Sequence, residues 1–258
     1  MPELFDMKLR AMRRDRAARR GVELFLYERA FVDCLERLAL VQRRFERALL
    51  VGCPDPSWRE RLGTYAGRVD VRDPGGLLAG AAGGEPIVED YWEPAAGAYE
   101  LVLSVGTLDG VNDLPLALRL VRHAMGPDSL FLGAMSGGDT LPQLRSAMRA
   151  ADVVAGGASP HIHPRVEAAA LAPLLADAGF IMPVVDVDRV DVAYPSFDRL
   201  VGDLRAMGAT NVLKARSAPL SRQAVEAARQ AFAAAASDGR TREIFEILHF
   251  AAWVPPGR

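Results

Sequence analysis

The sequence predicts an α/β fold, a mostly parallel sheet with helices on both faces. Three observations carry this. Apolar strand-like runs alternate with helix-like stretches from Ala48 onward. The first run, Ala48-Leu49-Leu50-Val51, feeds directly into Gly52, as a first strand feeds the tight turn of a ligand-binding βα unit. Later helices carry start and stop signals, with Asp, Thr or Ser before them and Gly after them.

Taken in order, Lys8 to Arg20, "KLRAMRRDRAARR", is a dense positive run. It reads either as a solvated helix docked through Leu4, Phe5, Leu9 and Met12, or as a basic lid or docking surface for an acidic partner. Glu23 to Arg44 places Leu24, Tyr27, Phe31, Leu35 and Leu38 at helical spacing. Ala48 to Val51 is a buried strand and Arg68 to Val71 a second short one, broken by Asp73-Pro74-Gly75-Gly76. Glu85 to Glu89 is a short third strand and Tyr99 to Val105, "YELVLSV", the clearest strand. Asp113 caps a helix with Pro115 in its first turn, buried through Leu116, Leu120 and Val121 and ended by Gly126-Pro127-Asp128. Ser129 to Met135 is the next strand. Thr140 and Gln143 have capping-box spacing before a helix whose inner stripe is Leu141, Leu144, Met148 and Ala151. A helix over Pro164 to Ala178, a strand over Val184 to Val192 and a helix over Phe197 to Met207 follow. Ser221 caps an Ala-rich helix, and Ile244 to Trp253 closes the chain as a strand. Residues 1–46 are expected to form an N-terminal helical lid and 47–258 one compact α/β unit.

Composition narrows the function. Half of the 258 residues are apolar, so a sizeable core is available. The net charge of -2 argues against nucleic-acid binding. Cys34 and Cys53 show no zinc or disulfide spacing, and no metal site is expected. Neither a signal-peptide pattern nor a bilayer-spanning apolar run is present, so the expectation is a cytoplasmic protein.

In parallel sheets ligands bind beyond the carboxyl ends of the strands. That rule selects the loops Gly52–Trp58, Asp70–Gly76, Ser104–Asp113 and Ser136–Thr140. Asp70 has the spacing of the acid that accepts ribose hydroxyls, and Glu89 or Asp90 could meet an adenine amino group. Either reading competes with an ordinary surface carboxylate. Asp139, in "SGGD", orients a substrate, acts as a base, or only assists a helix cap. Asn112-Asp113 allows the same division. His161 and His163, "SPHIHP", lack a third ligand nearby and read as a Pro-stiffened connector.

Several segments carry a resemblance: "LFDMKLRAMRRDRAA", "GVNDLPLALRLV", "FLGAMSGGDTLPQLR", "SPHIHPRV" and "DLRAMG". Together they resemble bacterial relatives of the methyltransferase-like assembly factor of respiratory complex I, described as a protein arginine hydroxylase. The chain is also similar to the malonyl-carrier methyltransferase of biotin synthesis. The resemblance implies the Rossmann-like class I methyltransferase fold: seven strands, one of them antiparallel, with an N-terminal helical extension. It implies S-adenosylmethionine as cofactor, held by Gly52, Cys53, Asp70, Val71, Glu89, Asp90 and Ser104, with Asp139 and Asn112 as catalytic candidates. It also implies a protein partner, a complex I subunit. Against this stands the first loop. Where the superfamily has acid-x-Gly-x-Gly-x-Gly, this chain has Leu50, Gly52, Pro54 and Pro56. Proline offers no N–H and its ring fills space, so the cofactor is expected to bind weakly or to have been lost. A His-Trp pair of the relatives is replaced here by Asp109-Gly110.

Overall fold

The computed structural model describes residues 3–215 and 219–257. Among these, one seven-stranded sheet has the order β3-β2-β1-β4-β5-β7-β6. Its strands are β1 (Phe45–Val51), β2 (Ala66–Asp73), β3 (Glu85–Pro86), β4 (Tyr99–Val105), β5 (Met125–Ser136), β6 (Ile181–Tyr194) and β7 (Thr241–Trp253). Strands β1 to β5 pair in parallel, and β7 runs antiparallel between β5 and β6. The predicted class and the antiparallel last strand are therefore observed.

The helices are α1 (Met7–Arg20), α2 (Phe25–Leu40), α3 (Ser57–Gly63), α4 (Gly76–Ala81), α5 (Leu114–Ala124), α6 (Pro142–Ala155), α7 (Ala168–Asp177), α8 (Phe197–Ala206) and α9 (Arg222–Ala234). One face of the sheet is covered by α2 and α3, where Phe31 and Trp58 stack with centroids 4.2 Å apart and both are fully buried. Trp58 Nε1–H donates to Glu28 at 2.8 Å, so the indole is satisfied as well as packed. The other face is covered by α5 and α7 through Ala117, Leu118, Val121, Leu171 and Leu175. A third core joins α6, α8 and α9 to the ends of β6 and β7.

Several boundaries and faces differ from the sequence expectation for identifiable reasons. Strand β2 runs to Asp73, because the alternation that buries Val69 and Val71 continues to Asp73, which is fully buried. Strand β3 is two residues long and stops before Glu89. Strand β5 starts at Met125 and passes through Gly126-Pro127-Asp128, with a register shift absorbing the irregularity. Helix α5 buries Ala117 and Leu118 rather than Leu116 and Leu120. Its cap is as expected, with Asp113 Oδ1 accepting from the Leu116 N–H at 2.8 Å. Thr140 does not cap α6: its hydroxyl bonds to β7 at the Glu246 carbonyl. The free N–H groups of Gln143 and Leu144 go instead to the buried Glu243 carboxylate, at 3.1 and 2.8 Å. A tertiary carboxylate from β7 replaces the local capping box. Pro164 to Glu167 precede α7 rather than opening it.

Helix α1 departs furthest. Its buried residues are Arg10, Arg14 and Ala17, a stripe at i, i+4 and i+7, while Met12 is 60% exposed. Leu4 and Met12 are exposed, while Phe5 is buried and Leu9 packs with it against Val212 and Leu213 as expected, and two buried arginines complete the docking.

Candidate functional site

The strand order reverses between β1 and β4, parallel neighbours in space but not in sequence. Beyond their carboxyl ends lies a cleft, and β1 enters it through Gly52 at φ 84°. A Cβ there would stand 2.2 Å from the Val105 carbonyl oxygen, so only glycine permits this approach. The Gly52 N–H is engaged by the Arg72 carbonyl at 2.8 Å, and the Cys53 N–H by Asp73 Oδ2 at 2.9 Å. Pro54 and Pro56 have none to give. Burial pushes the Cys53 thiol up to about 12, so it is held as the neutral thiol.

The acid at the end of β2 is Asp73, not Asp70. Asp73 is fully buried and receives four donors: Arg14 Nε at 2.8 Å, an Arg14 terminal N–H at 2.6 Å, and the N–H groups of Cys53 and Gly75 at 2.9 and 2.7 Å. Burial opposes the charge on Arg14, but Asp73 outweighs it and raises the guanidinium pKa. Asp70 sits three positions back, bonded to Arg47, Arg68 and the Tyr99 hydroxyl. Val71 packs into the core beneath the sheet rather than lining the cleft.

Glu89 is buried in a two-pronged pair with Arg10, at 2.7 and 2.8 Å, and Arg10 also donates to the Thr107 carbonyl. Asp90 is buried beside it. Its Oδ2 accepts from the backbone N–H groups of Asn112 and Asp113, and its Oδ1 is a buried acceptor with no hydrogen bond. Ser104 is buried and shares a hydrogen bond with Thr107. The Asn112 side chain bonds both backbone groups of Phe5, accepting its N–H at 2.7 Å and donating to its carbonyl at 3.2 Å. It is a latch for the N-terminal segment. Asp139 stands on the rim, 66% exposed at its side chain and paired with Arg189.

Next to these residues is a cavity of about 90 Å³, lined by apolar side chains and by Tyr27, Asp109, Ser136, Arg165 and Glu246. Arg165 donates to Asp109 at 2.6 Å, while its buried Nε has no partner. Tyr27 lies across Gly106, where a Cβ would fall 2.5 Å from the ring. A half-buried ion pair beside an apolar cavity can orient a polar group, but among the described lining residues no nucleophile–base pair is formed. His161 pairs with Asp152 and His163 accepts the Val212 N–H, so the two imidazoles do not converge. Among the described residues no group of three His, Cys, Asp or Glu is placed to hold a metal ion.

The cleft thus brings together Gly52, Cys53, Glu89, Asp90, Ser104 and Asn112. Sequence reasoning placed Asp70 and Val71 with them and missed Asp73, Arg10, Arg14 and Arg165. Continuing the β2 alternation by one step finds Asp73; nothing in the sequence marks the two helix arginines as buried.

No protein-family model matches the chain. The rat mitochondrial protein named arginine-hydroxylase NDUFAF5 is 32% identical over 264 residues, covering 97% of this chain and 77% of that one. The zebrafish protein of that name is 36% identical over 170 residues, 65% of this chain and 53% of its own length, so that match spans about half of the relative. A malonyl-[acyl-carrier protein] O-methyltransferase of Laribacter hongkongensis is 31% identical over 165 residues, 64% of this chain and 54% of that one. Among solved structures, Bacillus subtilis YcgJ superposes with a TM-score of 0.58 at 10% identity, covering 87% of this chain and 98% of that one. A Haemonchus contortus phosphoethanolamine N-methyltransferase in complex with S-adenosyl-L-methionine superposes at 0.53 and 13% identity, covering 87% and 52%. The fold is that of the methyltransferases. In this conformation the residues do not fit S-adenosylmethionine: Asp73 and Glu89 are taken by arginines, the Gly52 and Cys53 N–H groups are bonded within the protein, and Pro54 and Pro56 have none. Among the described cleft residues, Asp90 Oδ1 is a buried acceptor with no hydrogen bond, open to an amino group.

Proposed function

The chain belongs to the family of the mitochondrial arginine-hydroxylase NDUFAF5, and from that premise we propose that it is a methyltransferase-fold protein with a degenerate cofactor loop that serves respiratory complex I assembly or maturation. It acts in the cytoplasm by binding a protein partner, a complex I subunit, and not nucleic acid. Among the described residues no helix is long and apolar enough to cross a membrane. The observation that carries this reading is the loop after β1. Methyl transfer needs a donor sulfonium held in register with its acceptor, which backbone N–H groups and a free strand-end acid supply. Here Pro54 and Pro56 withdraw donors, and the neighbouring N–H groups of Gly52 and Cys53 are bonded within the protein.

Calorimetric titration with S-adenosylmethionine and S-adenosylhomocysteine tests the first half, with no binding in the micromolar range expected. Submicromolar affinity sinks it. Deletion of the gene and native-gel quantification of complex I tests the second half; normal complex I in the deletion strain removes the assembly role. The relatives' name supports an alternative, hydroxylation of a partner arginine. That alternative requires a mass gain of one oxygen on an arginine of a co-expressed subunit, and it fails if the mass is unchanged with folded protein present.

A further inference from the structure

The cleft at the carboxyl edge of the sheet holds guanidinium groups where a nucleoside would need its acids. We propose that its resident ligand is the chain's own helix α1, with Arg14 seated on the strand-end acid Asp73 and Arg10 on Glu89, closing the cleft to adenosine-type ligands. The inference deepens the degenerate-cofactor reading and rests on it in part.

Four observations carry it. First, both pairs are two-pronged and dry: side-chain exposures are 5% and 0% for Arg14 and Asp73, and 8% and 3% for Arg10 and Glu89. The parallel N–H groups of a guanidinium present a carboxylate with two donors, the same demand that two ribose hydroxyls make. Second, the space is shaped for the helix. A Cβ on Gly75 would lie 2.8 Å from Arg14 Cβ, and one on Gly208 3.1 Å from Arg14 Cα. A Cβ on Gly110 would lie 3.2 Å from Arg10 Nε. These contacts are tighter than ordinary packing, so side chains at the three positions would crowd the helix out. Third, the helix is fastened ahead of its first turn. Phe5 is buried, both its backbone groups are held by Asn112, and residues 4 to 6 bond to the backbone of Val212 and Lys214. Fourth, the two pairs meet the charge requirement of the cleft internally, because Glu89 and Asp73 would otherwise be buried carboxylates without a cation.

Equilibrium dialysis of the full chain with labelled adenosine tests the proposal. Adenosine lacks the methionine chain that the prolines obstruct, so it reads the nucleoside half of the cleft alone. Wild-type protein is expected to take up none at millimolar concentration. The R10Q/R14Q variant, which frees both acids, is expected to bind at least about tenfold more tightly than the wild-type limit. Saturable binding by the wild type at micromolar adenosine overturns the proposal, and so does a folded R10Q/R14Q variant that binds none. Should that variant not fold, hydrogen exchange of the wild-type α1 amides decides: unchanged protection under adenosine supports a resident helix, and lost protection makes it a displaceable lid, against the proposal. S-adenosylhomocysteine run in parallel separates the two readings. If the variant binds it no better than adenosine, the proline-loop reading stands too. If it binds far more tightly, the helix proposal survives and the loop reading fails.

Discussion

Exchange of Asp73 for asparagine isolates the interaction on which the closed cleft depends. In the native protein two carboxylate oxygens receive four donors, two from Arg14 and one each from the Cys53 and Gly75 backbone. Asparagine keeps one acceptor oxygen and turns an NH₂ toward two N–H donors. It also leaves the Arg14 charge buried without a counter-ion. Breaking one partner of a buried pair costs about 3–5 kcal/mol, a large share of a total stability of about 5–15 kcal/mol. For a chain of this size that is a fall in Tm of about 6–20 °C. Urea unfolding followed by far-UV circular dichroism reads it as a lower midpoint at unchanged slope. The double variant R14M/D73N removes both charges and is expected to be more stable than D73N alone, a non-additivity specific to contacting groups. A D73N protein within about 1 kcal/mol of wild type would refute the buried-pair reasoning.

Further outcomes follow from other sites. Burial, with Arg165 nearby, lowers the His163 pKa to about 4. The unfolded chain therefore binds more protons between about pH 4 and 6.5, and His163 stabilises the fold above that window. About 3 kcal/mol should be lost as pH falls through it. His163→Gln, which keeps an acceptor for the Val212 N–H, should flatten the acid limb of stability against pH, and an unchanged limb counts against His163 as its source. Cys34 and Cys53 are buried, and burial pushes both thiols up to about 12. Native protein at pH 8 should resist iodoacetamide, and urea-unfolded protein should react at both sites; rapid native labelling contradicts this. Gly52→Ala meets a carbonyl oxygen and an unfavourable φ together, and is expected to lose at least about 3 kcal/mol or fail to fold, read as soluble yield and Tm. Trp58→Ala empties the stack on Phe31 and leaves Glu28 with Arg61 as its remaining side-chain donor, and should cost about 3–5 kcal/mol by urea unfolding; a loss under about 1 kcal/mol would mean the site collapses without penalty.

The sheet was legible because most of its strands are local apolar or alternating runs, and Tyr99–Val105 was placed to the residue. The Asp113 and Ser221 caps were legible for the same reason, since each bonds an N–H three residues on. The donors missing from the first loop were legible because proline's lack of an N–H is a property of the residue alone. What was not legible came from tertiary partners. Thr140 and Gln143 have the spacing of a local cap, yet Glu243, about a hundred residues later, takes the job. The Lys8–Arg20 run looks solvated in isolation. Only the fold brings Glu89 and Asp73 to the side of the helix that carries Arg10 and Arg14. Asp70 was chosen over Asp73 because a turn-rich tetrapeptide beginning with Asp73 masked the last inward position of β2.

The fastening of α1 also sets an order of events during synthesis. The helix emerges from the ribosome before its partners: Asp73 lies 59 residues downstream of Arg14, Asn112 107 downstream of Phe5, and Thr210 197 downstream of Arg13. Until the chain has been made to Lys214, the helix has nowhere complete to go, and its row of arginines faces the surroundings of the exit tunnel. Its docking is therefore a closing step that follows assembly of the body, and a stalled or shortened translation product would display Arg10 and Arg14, which the finished protein keeps buried.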